Sequence, residues 1–164
     1  MPPIPRNFRI RSELAPGDLG MIVHLHGVLY AREHGLDTTF EPYVAKPLAD
    51  FVVSGSGRLW IAEDGDRLVG SIALVDAEPG IGQLRWFLVV PEARGTGLGG
   101  RLLEEALAYA RERGLAHIYL WSFATLTDAL RLYERAGFRT SETKTSFVWG
   151  AERTEVRMDL ALGA

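Results

Sequence analysis

The stretch Arg94-Gly95-Thr96-Gly97-Leu98-Gly99-Gly100 decides the fold class of this chain of 164 residues. It lies between a predicted strand, which Pro91 ends, and a predicted helix over residues 98–113. Glycines let several backbone N–H groups converge at a helix N-terminus, where the helix dipole favours an anion such as a pyrophosphate. Arg94 and Arg101 add positive charge at either end. The stretch therefore predicts a site for a phosphorylated ligand.

The glycine pattern alone fits more than one kind of protein. Gly95, Gly97 and Gly100 satisfy the G-x-G-x-x-G pattern of dinucleotide-binding folds. That fold places the loop after its first strand and an acidic residue at the end of the next strand. Here three predicted strands come before the one that leads into the loop, and the strand after the loop ends in Leu120-Trp121-Ser122, without an acidic residue. A Walker loop is excluded because no Lys-Ser or Lys-Thr follows the glycines. An anion cradle remains, with a flexible connection as the alternative.

Hydrophobic periodicity around the loop predicts a mixed sheet with about four helices. Alternating residues flank Asp64-Gly65-Asp66, which is a strong hairpin turn signal. The predicted helices cover residues 16–35, 39–53, 98–113 and 127–136. The predicted strands cover residues 8–11, 58–63, 67–76, 83–90, 117–122, 138–148 and 153–160. This order predicts one α/β or α+β domain over residues 1–164, with six or seven strands and no doubly wound sheet.

Composition and charge exclude several classes of protein. Hydrophobic residues make up 47% and charged residues 24%, which is typical of soluble globular proteins. The net charge of −3 gives no general attraction to nucleic acid or anionic membranes. The absence of cysteine removes disulfides, thiolate zinc sites and a cysteine nucleophile. Neither a membrane span nor a secretory signal is recognisable. We expect a cytoplasmic protein without a metal, a nucleic-acid partner or a membrane partner.

Two segments resemble the signatures of the GNAT acetyltransferase superfamily. Residues 89–99 read VVPEARGTGLG and resemble its acetyl-CoA loop, whose core pattern is Arg/Gln-x-x-Gly-x-Gly/Ala. Residues 129–138 read ALRLYERAGF and resemble its second signature, which ends in Tyr-x-x-x-Gly-Phe. PGDLG at 16–20 and YAREHG at 30–35 also resemble a narrower group, acetyltransferase domains often fused behind a MarR-type winged helix. The chain would be a stand-alone form of that domain.

The resemblance implies a fold and an activity. The mostly antiparallel sheet would be splayed between its fourth and fifth strands, with the pantetheine of acetyl-CoA lying in the splay. The activity would be acetyl transfer from acetyl-CoA to a primary amine of a small molecule, amino acid or peptide, by a monomer or homodimer. The loop contacts only the coenzyme portion, so acetyl and longer acyl donors stay open. The implied coenzyme-binding residues are Leu88, Val89, Val90, Arg94, Gly95, Thr96, Gly97, Leu98, Gly99, Gly100, Arg101 and Tyr133.

The same resemblance assigns Tyr133 as the general acid that protonates the departing thiolate. A phenol, with an ordinary pKa of about 10, can deliver that proton within a hydrogen bond. The alternative role for Tyr133 is a core aromatic residue. The base is open, because many relatives carry Glu at the position of Gln83 and glutamine cannot take a proton. A water chain or the N-terminal helices would supply it, with His26 and Glu33 as candidate catalytic residues. Further candidates are His24, Tyr30 and His34.

The acceptor site is predicted from aromatic and acidic residues near the splay. The candidate substrate-binding residues are Tyr30, Glu33, Trp86 and Trp121. Trp86 and Phe87 are adjacent on a strand, so they should point to opposite faces. Relatives frequently carry Asn where this chain has Leu126. The residues expected to line the site instead are Trp121, Ser122, Phe123 and Thr125. Because Gln83 and Leu126 depart from the family pattern, a non-catalytic acyl-CoA-binding or sensor module is the alternative function.

Overall fold

Seven strands form one mixed sheet in the computed structural model, which describes residues 6–163. The strands are β1 (Arg9–Arg11), β2 (Gly57–Asp64), β3 (Arg67–Glu78), β4 (Ile81–Val89), β5 (His117–Phe123), β6 (Arg139–Val148) and β7 (Ala151–Ala161). The helices are α1 (Asp18–His34), α2 (Phe40–Ser54), α3 (Leu98–Glu112) and α4 (Thr127–Arg135), with a 3-10 turn at Pro91–Ala93. Each predicted element is present, and its ends agree within about two residues. The predicted fold class is confirmed.

The strands follow the order β1-β2-β3-β4-β5-β7-β6. Neighbouring strands are antiparallel except β4 and β5, which are parallel. The last hairpin therefore inserts β7 between β5 and β6. None of the helices within residues 6–163 combines the length and the apolar character that crossing a membrane requires.

Helices cover both faces of the sheet, as the alternation along β2 shows. Trp60 and Ala62 pack with the apolar stripe of α3, whereas Leu59 and Ile61 pack with α2. Successive residues of a strand point to opposite faces, so α3 and α2 lie on opposite sides. The buried stripe of α3 consists of Leu98, Leu102, Leu103, Ala106, Leu107 and Ala110. These positions repeat at helical spacing, which explains why the sequence predicted this helix correctly.

The sheet opens between β4 and β5. The two strands pair over only three positions, from Ile81 opposite His117 to Gln83 opposite Tyr119. Beyond that point β4 continues to Val89 and β5 continues to Phe123, but the two strands no longer pair with each other. The predicted splay between the fourth and fifth strands is therefore present.

A β-bulge lies in β4 at the start of the opening. Ser71 of β3 pairs with Leu88 and Ala73 pairs with Arg85, so one residue of β3 faces two of β4. The bulged residue Trp86 has a φ of 48°, and its carbonyl accepts a hydrogen bond of 2.7 Å from the Ser71 hydroxyl. A bulge bends the strand that carries it. The bend occurs where β4 leaves β5.

Arg11 ties β1 to α1 and β2. Its guanidinium donates hydrogen bonds of 2.7 and 2.9 Å to Asp18, the first residue of α1, and another to Glu63. Asp18 is only 8% exposed and also accepts the Ala15 N–H at 2.6 Å. The Arg11 guanidinium lowers the pKa of the Asp18 carboxyl. This cluster fixes the N-terminal end of α1, the helix that lines one side of the opening.

Replacing Arg11 with methionine should destabilise the protein. The methionine stem replaces part of the packing but leaves the Asp18 carboxylate as an uncompensated buried charge, which costs roughly 3 kcal/mol. Urea denaturation of Arg11→Met and wild type measures the difference. The double variant Arg11→Met/Asp18→Asn should regain most of the loss. A loss below about 1 kcal/mol in the single variant, as for an exposed ion pair, would contradict this role.

Candidate functional site

A cavity of about 750 Å³ occupies the opening between β4 and β5. Its walls come from α1, α2, β4, the glycine loop, β5, α4 and the turn between β6 and β7. The predicted site residues that line it are His26, Tyr30, Glu33, Trp86, Leu88, Val89, Arg94, Gly95, Gly97, Leu98, Gly99, Trp121 and Tyr133. The further candidate His34 also lines it, whereas five predicted residues do not, namely His24, Val90, Thr96, Gly100 and Arg101. The structure thus brings most of the predicted site together around one space.

The glycine loop gives α3 an open N-terminus beside the cavity. Gly95 and Gly97 have φ values of 73° and 85°, which residues with a side chain rarely adopt. Within residues 6–163, the N–H groups of Gly97, Gly99 and Gly100 meet no hydrogen-bond acceptor. These free N–H groups carry the positive partial charge of the helix end. The free N–H groups of the loop therefore have the geometry to accept a diphosphate.

Three predicted coenzyme residues are engaged within the protein. The Val90 N–H donates to the Val69 carbonyl at 2.9 Å, so it pairs with the neighbouring strand. The Thr96 hydroxyl donates to a loop carbonyl at 2.6 Å, and Arg101 donates to the Phe8 carbonyl at 3.3 Å. The sequence assigned Val90 as a backbone partner of pantetheine on the fourth strand, Thr96 as part of the loop and Arg101 for its charge. It could not show that the fold occupies these groups itself.

Arg94 and Glu33 form a bidentate ion pair at one end of the cavity. Two guanidinium nitrogens donate to the Glu33 carboxylate at 2.7 and 2.9 Å, and the third donates to the Val89 carbonyl at 3.0 Å. The pair lowers the pKa of Glu33 and raises that of Arg94. The sequence assigned Glu33 to catalysis and Arg94 to the coenzyme. The structure pairs them with each other, which makes this carboxylate a weak base and ties the end of α1 to the loop.

His26 and Tyr30 lie one turn apart on α1 with stacked rings, 5.8 Å between centroids. His26 is buried, and its Nδ1 lies 2.8 Å from the Ile22 carbonyl. A carbonyl accepts only, so Nδ1 carries the proton and Nε2 is an acceptor. Burial lowers the pKa of His26 to about 4 and raises that of Tyr30 to about 12. Both side chains are therefore neutral near pH 7, and a protonated His26 is disfavoured.

Tyr133 lies on α4 with its ring packed against Phe87 and Phe138, each at 5.9 Å between centroids. Burial, with a smaller contribution from nearby Tyr30, raises the pKa of the Tyr133 phenol. Within residues 6–163, every side-chain oxygen that is fully buried has a hydrogen-bond partner. The Tyr133 hydroxyl has no hydrogen-bond partner in that part of the chain, so it is not fully buried. The hydroxyl is therefore open to the cavity. A protonated phenol facing the cavity has the properties of a proton donor.

The residues predicted to replace the family asparagine line the cavity as expected. They are Trp121, Ser122, Phe123 and Thr125. Trp86 packs against Phe51, with 5.5 Å between centroids, whereas Phe87 packs against Tyr133. The two neighbours thus point to opposite faces, as predicted.

Glu155 also lines the cavity, and sequence reasoning missed it. It lies on β7 opposite Phe123 of β5 and is 9% exposed. The Lys144 ammonium is 3.9 Å away, beyond hydrogen-bond distance. Alternation along β7 could have indicated it, because Arg153, Glu155 and Arg157 share one face of the strand. The structure therefore adds a largely buried carboxylate to the site.

Comparisons with known proteins show which family has this arrangement. A model of the Acetyltransferase (GNAT) family matches residues 28–138. The chain belongs to this family. An uncharacterized N-acetyltransferase of Schizosaccharomyces pombe is 30% identical to this GNAT protein over 145 residues, which is 84% of the chain and 86% of the relative.

Two further GNAT relatives differ in how much they share with the chain. A mycothiol acetyltransferase of Rhodococcus jostii is 28% identical over 151 residues, covering 88% of this chain but 50% of that protein. The yncA protein of Salmonella typhimurium, solved with its cofactor acetyl-CoA, has a TM-score of 0.76 at 18% identity, with 94% of each chain covered. At that identity the likeness shows the fold alone.

The free energy of unfolding should fall as the pH drops from about 6.5 to about 4. An unfolded histidine binds a proton near pH 6.5, whereas His26 in the fold does so only near pH 4. The unfolded state then binds more protons, so acid favours unfolding. At about 1.4 kcal/mol per pKa unit, the loss approaches roughly 3 kcal/mol.

Urea denaturation at about pH 7 and about pH 4.5 measures this loss. Other groups also titrate in this range, so the comparison is between variants. His26→Asn should show a smaller loss than wild type. His24→Asn changes an exposed histidine of the same helix and should behave like wild type. Equal losses in all three proteins would show that burial of His26 is not the cause.

Proposed function

We propose that this GNAT protein transfers an acetyl group from acetyl-CoA to a primary amine by direct attack within the cavity. The observation that carries the proposal is that one cavity joins the free N–H groups at the start of α3 to the Tyr133 hydroxyl. A Cβ built on Gly99 would lie 3.5 Å from Phe87 and 3.6 Å from Leu132, so the loop adjoins α4 directly. Coenzyme and proton donor are thereby neighbours.

The residues present fit acetyl-CoA. Gly97, Gly99 and Gly100 offer free N–H groups to the diphosphate. Alternate residues of a strand direct their backbone groups to opposite edges. Since the Val90 N–H faces β3, that of Val89 faces the opening, where the amides of pantetheine can pair with it. Bound acetyl-CoA supplies the acyl thioester, and this chain's residues orient the amine and move protons.

The reaction requires two proton movements. The amine nitrogen forms a bond to the thioester carbon, the carbon–sulfur bond breaks, the amine loses a proton and the thiolate gains one. We assign the second proton to Tyr133, which burial keeps protonated in the resting protein. Because burial also makes the phenol a weaker acid, its proton would move only within a hydrogen bond to the thiolate as that charge develops. The first proton, which leaves the amine, needs an acceptor. Glu33 is a poor acceptor because Arg94 pairs with it, and His26 is a poor acceptor because its burial disfavours a positive charge. Two further carboxylates line the cavity, namely Asp128, whose side chain is fully exposed, and Glu155, which is largely buried. We assign Glu155 as the acceptor, directly or through water.

The second candidate function is an acyl-CoA sensor without turnover. The observation that favours it is Gln83, which lines the cavity and accepts a hydrogen bond of 3.3 Å from the Tyr119 hydroxyl. An amide in this position cannot take a proton from the amine. Both functions require coenzyme binding, so only release of free CoA separates them.

Replacing Tyr133 with phenylalanine should lower kcat by roughly 100-fold, the lower end of the range for a lost general acid, with little change in the KM for acetyl-CoA. The chain contains no cysteine, so a thiol reagent detects released CoA without background from the protein. Tyr109→Phe is the matched control, because Tyr109 packs against Trp60 away from the cavity. Normal turnover by Tyr133→Phe would remove its acid role and leave the enzyme class intact. Tight acetyl-CoA binding by wild type without turnover of any amine would favour the sensor.

Replacing Gly97 with alanine should weaken acetyl-CoA binding by about 10-fold, or roughly 1.4 kcal/mol, measured by calorimetry. A Cβ at Gly97 strains the loop that presents its N–H groups to the diphosphate. Gly114→Ala is the matched control, because Gly114 follows α3 at its other end, also has a positive φ and also has space for a Cβ. Equal affinity in the two variants would show that the loop is not the coenzyme site.

A further inference from the structure

The turn between β6 and β7 has a strained backbone, and none of its residues has a role in the proposed reaction. Val148 pairs with Ala151, which leaves Trp149 and Gly150 as the two central residues of the hairpin turn. Their φ values are 50° and 94°. Two-residue turns with positive φ favour Asn-Gly or Asp-Gly, and a bulky aromatic residue in the first position is unusual. Backbone strain of this kind concentrates at functional sites.

Several hydrogen bonds hold the strained turn in place. Arg153 donates to the carbonyls of Val148 and Trp149 at 3.2 and 3.3 Å and to those of residues 34–35 at 3.1 and 3.3 Å. The Asp37 N–H also donates to the Trp149 carbonyl at 3.1 Å. The turn is thereby fixed to the junction between α1 and α2. The Arg153 guanidinium is engaged by protein carbonyls.

The Trp149 indole completes an aromatic wall of the cavity. Its ring centroid lies 4.8 Å from that of Tyr43, 5.1 Å from that of Phe40 and 5.6 Å from that of Phe123. We call these residues, together with Tyr30, the aromatic wall. All five line the cavity, and Tyr43 is 48% exposed. The wall therefore presents aromatic surface to a ligand.

Glu155 adjoins the aromatic wall, because it pairs in register with Phe123 across β5 and β7. Paired residues of neighbouring strands point to the same face. Lys144 pairs in register with Glu155 and forms a long ion pair with its carboxylate at 3.9 Å, and the lysine side chain is 53% exposed. Because this cation is exposed and makes no hydrogen bond to the carboxylate, a ligand ammonium can take its place beside Glu155. A carboxylate beside aromatic rings matches an ammonium group linked to an aromatic ring.

We infer that the acceptor is an arylalkyl amine, and that Trp149 selects it by packing against the aromatic ring while Glu155 binds the ammonium. The inference rests on the proposed function, because it names the acceptor of the same reaction. It gives a reason for a tryptophan at a position where glycine or asparagine would relieve the strain.

Turnover of two amines tests the selectivity. 2-Phenylethylamine and n-butylamine are the probes, and CoA release is the readout. We expect kcat/KM to be at least about 10-fold higher for 2-phenylethylamine, since burying an aromatic ring is worth that much or more. Trp149→Asn keeps the turn, because Asn-Gly is a favoured pair for it. This variant should lose roughly 10-fold to 100-fold for 2-phenylethylamine, mainly through KM, and less than about 3-fold for n-butylamine.

Phe147→Ala is the matched control. Phe147 lies two residues earlier on β6, is 76% exposed and does not line the cavity. This variant should have the same kcat/KM as wild type for both amines. A preference of the wild type for n-butylamine, or an equal loss of both amines in Trp149→Asn, would overturn the inference.

Calorimetric binding to the CoA-loaded protein separates this inference from the proposed function. Trp149→Asn should weaken binding of 2-phenylethylamine by about 10-fold, or roughly 1.4 kcal/mol. Glu155→Gln should weaken it similarly and should leave the neutral analogue 2-phenylethanol unchanged. If these losses appear but no amine is acetylated, the pocket stands and the enzymatic proposal fails. If amines are acetylated but both variants bind 2-phenylethylamine like wild type, the proposed function stands and the inference about the acceptor pocket fails.

Discussion

The early end of the β4–β5 pairing is the constraint on which the site depends. After Gln83 and Tyr119 both strands continue, and the backbone groups on their facing edges have no ladder partners. Buried without partners, such groups would be costly, but here they border a cavity. A ligand that carries amides of its own can replace the missing strand. The bulge at Trp86 bends β4 beside the opening, and the two neighbouring rings lie on opposite faces of the strand, where Trp86 packs against α2 and Phe87 against Tyr133.

Attraction of an anion to this acidic chain rests on local geometry. The net charge is −3, and the guanidinium of Arg94 is already paired with Glu33. The free N–H groups at the start of α3 are the remaining positive feature of the loop, and the fold fixes their orientation. The ion pair has a different effect: it couples the end of α1 to the loop. The end of α1 and the glycine loop are thereby held in one arrangement.

The fold and the coenzyme side of the site could be predicted from the sequence, because their signals are local. The α3 stripe, the Asp64-Gly65-Asp66 turn and the glycine loop each lie within a short window of residues. The rest depends on contacts between distant segments. Glu33 and Arg94 are 61 positions apart, and nothing in the sequence indicates that the two side chains pair with each other. Glu155 was missed because its neighbour Phe123 is known only once β7 is placed beside β5.

The order of the last strands also explains why family membership identifies the donor more readily than the acceptor. The family match ends at residue 138, and β6 begins at Arg139. The matched segment thus contains the loop, the opening and Tyr133, but neither Trp149 nor Glu155. The C-terminal hairpin packs its turn against the α1–α2 junction and its second strand against β5, so it forms one side of the pocket that we propose for the acceptor. If the proposed acceptor pocket is correct, changes in this hairpin would alter the accepted amine while the residues of the glycine loop stay the same.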